Sequence, residues 1–98
     1  MNEKLKQLIT KSDPNEVRDR AKRIYGKDVI LYASTRKASK YMILNPETDK
    51  WFHFGNMNYQ DFTKHRDQKR RELFQTRNHK WATAPKWSSR YMAYWLLW

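Results

Sequence analysis

The stretch from Lys40 to Gly55 constrains this chain most. Two β-prone runs, Lys40 to Asn45 and Lys50 to Gly55, flank the cluster Pro46-Glu47-Thr48-Asp49. Turn-forming residues between two such runs specify a β-hairpin. Pro46 has no N–H to give to a ladder, so it marks the turn just past the first strand. Along the first run Tyr41 and Ile43 fall on one face and Met42 and Leu44 on the other. Along the second, Trp51 and His53 alternate with Phe52 and Phe54. Neither face is plainly polar, so both are expected to be covered, one by a helix beginning near Asp13 and the other by the C-terminal tail.

Upstream, Asn2 to Lys11 reads as a short amphipathic helix, with Leu5, Leu8 and Ile9 on one face. About ten residues are marginal alone, so this segment (1–12) is a docking arm or a fraying end. The next helix carries stronger signals. Asp13 is its N-cap, Pro14 sits at N1, and Glu16 at N3 completes a capping box. Val17, Ala21, Ile24 and Tyr25 form one apolar face, and Gly26 ends the helix in the left-handed conformation. The run from Asp28 to Ser34 is β-branched and aromatic, hence a strand, and Thr35 to Ser39 is a short basic loop.

Past the hairpin, Asn56 to Gln60 is a polar connection. From Asp61 the pattern is helical but weakly amphipathic, with Phe62, Leu73 and Phe74 on one side and Asp61 or Asp67 as N-cap. Seven Lys or Arg against two acids leave +5 between Lys64 and Lys80, the densest basic stretch of the chain. Asn78 to Ser89 is irregular, interrupted by Pro85 and anchored by Trp81 and Trp87. The tail from Arg90 to Trp98 is too apolar to stay in water. It docks in the core, inserts into a partner, or adds a strand. Tyr91, Tyr94, Trp95, Leu96 and Trp98 are its expected buried residues. The fold class is therefore α+β, a single small basic domain over 1–98. Two N-terminal helices precede a small antiparallel sheet of about three strands with a central hairpin, a basic helix and an aromatic tail.

Several of these residues also form a recognisable set: Ser34-Thr35-Arg36-Lys37, Lys40-Tyr41-Met42, Asn45-Pro46, Lys50-Trp51, His53-Phe54-Gly55, Tyr59, Asp61-Phe62-Thr63, Arg70-Arg71 and the closing Leu96-Leu97-Trp98. The set resembles a family of small basic proteins encoded by large DNA viruses of algae and protists, a family of undetermined function. The chain departs from it at Asp49, where glycine is expected, and between His79 and Tyr91, where no pattern is matched. The resemblance implies a viral origin, with host cytoplasm, nucleus or viral factory as the setting and packaging in the virion as one outcome. It implies no chemistry, so function rests on the residues.

A net charge of +11 calls for an anionic partner, nucleic acid before a membrane surface. The chain has no cysteine, in keeping with a reducing compartment. Its first residues lack the apolar core of a signal peptide, and no apolar run is long enough to span a bilayer. Catalysis finds little footing. There is no nucleophile-elbow serine, and only two glycines, which rules out a Gly-rich phosphate loop. His53, His65, Asp67, Asn78 and His79 resemble the layout of a ββα-metal nuclease. On a helix, however, His65 and Asp67 would point about 200° apart and could not share a metal. No metal and no cofactor is expected. The expected activity is non-specific, salt-dependent binding of DNA or RNA through Arg36, Lys37, Lys40, Lys64, Arg66, Lys69, Arg70, Arg71 and Arg77. The alternatives are a minor capsid protein that bridges viral capsid subunits, and the nuclease.

Overall fold

The computed structural model describes residues 2–98. The order of elements is α1 (Glu3–Leu8), α2 (Pro14–Tyr25), β1 (Leu31–Ala33), β2 (Ser39–Asn45), β3 (Lys50–Asn56), α3 (Phe62–His65), α4 (Gln68–Arg77), a 3-10 turn (His79–Thr83), and α5 (Ser89–Met92), which runs on as a π-helical turn (Ala93–Leu97). The protein is α+β. The three strands form one antiparallel sheet in the order β1-β2-β3. Among the described residues, no helix is long and apolar enough to cross a membrane.

The hairpin forms in the register set by its side-chain alternation. Tyr41 pairs with Phe54, Ile43 with Phe52, Met42 with His53 and Leu44 with Trp51. At the turn, Asp49 takes φ 60° and its N–H donates to the Asn45 carbonyl at 2.8 Å. A left-handed φ explains why glycine suits this position. Asp is among the few other residues that adopt it readily. β1 is shorter than expected because the chain must first turn away from α2. The Val29 N–H closes that turn on the Gly26 carbonyl at 3.2 Å, which uses up Asp28 and Val29.

α2 begins at Pro14, and the Asp13 carboxylate accepts from the N–H groups of Asn15 and Glu16. The capping box is only half made. The Asp13 N–H donates to Thr63 Oγ1 at 2.9 Å, and Glu16 turns away to pair with Arg66 at 2.9 Å and Arg20 at 3.6 Å. A tertiary partner has replaced the local one. Gly26 ends the helix at φ 101°, ψ 163°, a region essentially confined to glycine and distinct from the expected left-handed helical one.

One core holds the fold together. Val17 and Ala21 of α2, Leu8 of α1, Tyr41, Ile43 and Phe54 of the sheet, Met57, and Met92, Leu96 and Leu97 of the tail are all buried in it. The tail is therefore helical and covers the Phe52 and Phe54 face, the same face that α2 packs against. Its buried residues follow helical spacing, i, i+4 and i+5 from Met92. Of the five expected residues only Leu96 is fully buried, and Trp95 stays 43% exposed with its indole N–H on the Ala82 carbonyl at 3.1 Å. Leu97 seats over Gly55, where any Cβ would meet its Cδ1 at 2.9 Å. Covering both sheet faces would take a third layer, and a chain of this size is spent on two. The outer face stays open, with Tyr32 and Trp51 exposed and their rings 6.1 Å apart.

Candidate nucleic-acid interface

Lys40 does not reach solvent. It is 2% exposed and its ammonium lies 3.1 Å from the Asp61 carboxylate, itself fully buried. Burial holds the Lys40 pKa below the ordinary lysine value, with Asp61 pulling the other way. The other Asp61 oxygen accepts from the Thr63 N–H at 3.0 Å and from the Thr63 hydroxyl. Thr63 meets Ser12 at 3.2 Å, and Ser12 accepts from the buried Tyr41 hydroxyl at 2.7 Å. This connected polar cluster ties β2, the entry to α2 and the start of α3 together. Lys40 is thus a structural cation and leaves the expected set of phosphate contacts. An apolar flank on one side alone does not reveal such burial; the clue in sequence is an acid that heads a helix, Asp61, in reach of it.

The sequence left Asp61 and Asp67 as rival caps. Both serve. Asp61 caps α3 through the Thr63 N–H, and Asp67 caps α4 through the N–H groups of Lys69 and Arg70. Arg66 joins the two helices in the left-handed conformation, φ 58°. The two short helices replace the single long one the pattern suggested, and the break re-aims the basic residues.

α4 buries none of its residues completely and is attached mainly through Phe74. That ring stacks on Trp98 at 4.4 Å and 7° and meets Trp81 edge-on at 5.9 Å. Phe74→Ala is expected to cost about 2 kcal/mol, below the range for a fully buried Phe because this ring is half-buried. It should also loosen α4, read as faster amide exchange over 68–77 with the sheet amides little changed.

Held this way, α4 turns one stripe, Arg70, Leu73, Phe74 and Arg77 at i, i+3, i+4 and i+7, toward a cleft of about 960 Å³. The opposite wall comes from β3 and the connection after it, including His53, Asn58 and Tyr59, and α5 adds Arg90. No Asp or Glu is among the residues that line the cleft. Leu73, read from sequence on one side of the helix with Phe62 and Phe74, lies 58% exposed in this cleft. The basic stretch and the aromatic cluster were legible separately, but their convergence, and the parts of Arg90, Tyr59 and Trp81, required the helix break and the fold of the tail.

The remaining expected cations divide. Arg36, Lys37, Lys64 and Lys69 are exposed, and Ala38 and Ser39 of the basic loop reach the cleft lip. Arg66 is half exposed and paired with Glu16. Arg71 lies over the Phe62 ring at 4.7 Å with its Nε buried and without a hydrogen-bond partner, so it packs rather than projects. One residue apart on a helix, Arg70 and Arg71 point about 100° away from each other. The histidines register the positive surroundings. Burial, then Arg36 and Lys4, hold the His53 pKa below the usual histidine value; burial, then Arg70, do the same for His65.

The nuclease constellation does not assemble. His53 bonds Ser34 through Nδ1 at 2.6 Å, His65 Nδ1 accepts from the Asp67 N–H at 2.9 Å, and the Asn78 amide donates to the Phe74 carbonyl at 3.1 Å. His79 lies against the Thr76 carbonyl at 3.2 Å. Among the described residues, no three His, Asp or Glu side chains gather to hold a metal.

A family model described as a family of unknown function (DUF5754) matches residues 29–81, just over half of the chain. The chain belongs to that family. The DUF5754 segment runs from the approach to β1 through the sheet, α3 and α4 to Trp81. It includes Tyr59, Arg70, Phe74 and Arg77, while Arg90 and the helical tail lie beyond it. No curated protein and no solved structure matches the chain.

Proposed function

We propose that the domain binds nucleic acid without sequence preference, through phosphate contacts centred on the cleft between β3, α4 and α5. The observation that carries this reading is the convergence of Arg70, Arg77 and Arg90 on a cleft with no Asp or Glu in its lining. Guanidinium groups engage phosphate oxygens two at a time, and a concave wall without acidic side chains concentrates the field on an anionic strand. The exposed Arg36 and Lys37, in the loop whose Ala38 and Ser39 reach the cleft lip, extend the positive surface beyond the cleft. Phosphate contacts carry no sequence information, so binding through them is indifferent to sequence. A viral origin and association with the virion belong to the same reading, and mass spectrometry of purified particles tests that part.

Arg77→Ala with Arg90→Ala is the direct test. Both residues are exposed, so the fold should persist. Affinity should fall uniformly across sequences, and the slope of log affinity against log salt should flatten by about 0.7 to 1 per lost contact. Unchanged binding and slope in the double variant, or no binding by the unsubstituted protein at ~50 mM salt, would reject the proposal.

A second reading rests on the open outer sheet face. Tyr32, at 60% exposed, and Trp51 make an aromatic patch without cover from the chain itself. That patch favours a bridging role between protein subunits, as in a minor capsid component. Loss of self-association or particle incorporation in Tyr32→Ser with Trp51→Ser, with nucleic-acid binding intact, is its signature.

A further inference from the structure

Phosphate contacts alone leave the apolar part of the cleft without a use. Tyr59 is 63% exposed and stands on the connection between β3 and α3, in the cleft lining. Among the described residues its ring joins no aromatic pair, although ring pairs knit the rest of this protein together. Leu73 of α4 is the other large, exposed apolar group in the same lining. The neighbouring Asn58 is exposed, and its amide is not spent on the connection: the local turn is closed by Asn56 Oδ1, which accepts from the Asn58 N–H at 2.9 Å. The cleft thus combines three guanidinium groups, an unpaired aromatic face and a free amide, with no acidic side chain.

Double-stranded nucleic acid has no use for such a set. Its bases are already stacked and paired, and it offers a protein mainly phosphates and groove edges. A single strand offers phosphates and splayed bases together, and every base has a face that stacks on an aromatic ring. Building on the proposed nucleic-acid binding, we infer that the cleft takes single-stranded nucleic acid, with a base stacked on Tyr59 and the flanking phosphates on Arg70, Arg77 and Arg90. Stacking on Tyr59 is indifferent to base identity, so the binding keeps its lack of sequence preference.

The test compares a fluorescent oligo-dT, a hairpin duplex and an abasic oligomer of equal length, against the full chain and Tyr59→Ala, at ~50 mM salt, where phosphate contacts are strongest. Tyr59 is exposed, and a melting curve confirms that the variant is folded. The expected result is tighter binding of oligo-dT than of duplex, a drop of about five-fold to a hundred-fold for oligo-dT in Tyr59→Ala, and duplex and abasic affinities within about two-fold of the unsubstituted protein. Tyr59→Phe should keep most of the oligo-dT affinity, since the ring face is what acts. Equal binding of oligo-dT and duplex, together with an unchanged Tyr59→Ala, overturns the single-strand inference and leaves the phosphate reading standing. Absence of binding to all three probes overturns both.

Discussion

A chain ending at Arg90 is expected to show no cooperative unfolding transition. The lost segment carries Met92, Leu96 and Leu97, all buried in the core against α2 and the sheet. Burying each such side chain is worth about 1.5–3 kcal/mol, so three account for roughly 5–9 kcal/mol. The whole stability of a domain this size is on the order of 5–15 kcal/mol. The truncation also removes Trp98, the ring on which Phe74 stacks, and so frees α4 along with the core. Thermal melts followed by near-UV and far-UV circular dichroism will read this as a featureless slope. Leu96→Ala, a gentler version, should cost about 2–5 kcal/mol and lower the melting temperature by about 10 °C or more. A truncated chain that melts like the full one would mean that the tail serves assembly and not the core.

How much of this was legible in the sequence varies with the range of the interaction that decided it. The hairpin, the alternation of side chains along its strands and the Asp13 cap are settled by residues within a few positions of one another, and all three appear in the structure as read. The features that escaped are those decided by distant partners. Glu16 satisfies the local capping-box pattern, yet Arg66, fifty residues on, holds its carboxylate. Lys40 looks like any other surface lysine until Asp61 is seen to cap α3 beside it. The tail was expected in the core on its apolar content, but content cannot say that it is helical. Helical spacing then buries Met92 and Leu97 and leaves Trp95 partly in water.

The same reasoning divides the basic stretch. From sequence, Lys64 to Arg77 was one positive surface. Arg66 in the left-handed conformation breaks it into two helices, and the two parts do different work. Arg66 and Arg71 close around Phe62, while Arg70 and Arg77 face the cleft. A substitution of Arg70 and Arg71 together would therefore mix a binding effect with a packing effect, whereas Arg77 with Arg90 separates them.

The last expectation concerns the buried pair. Asp61→Ala should cost about 3–5 kcal/mol, because it leaves the Lys40 ammonium buried without its counter-charge, with up to about 1–2 kcal/mol more from the lost cap of α3. Lys40→Met should cost less, since the Asp61 carboxylate keeps its two donors from Thr63. Lys40→Met combined with Asp61→Asn removes both charges and keeps a capping oxygen, so it should recover most of what Asp61→Ala loses. The loss in Asp61→Ala should also depend on pH. Lys40 already has a lowered pKa in the folded protein, and removing Asp61 takes away the group that raises it. With a folded pKa below the unfolded value near 10.4, the unfolded chain holds the extra proton, and stability rises with pH through that interval. The deficit of Asp61→Ala relative to the unsubstituted protein should therefore narrow as pH rises toward the unfolded lysine value near 10.4. The buried Tyr41 and the partly buried Tyr25, whose pKa values are raised by burial, oppose this trend at higher pH. Tyr25 cancels when the two urea titrations are compared at each pH, whereas Tyr41, whose pKa Asp61 also raises, opposes the trend less in Asp61→Ala and so adds to the narrowing. A deficit that stays constant, or widens with pH, would mean that Asp61 stabilises the fold through its cap and its Thr63 bonds, with the charge of Lys40 playing no part.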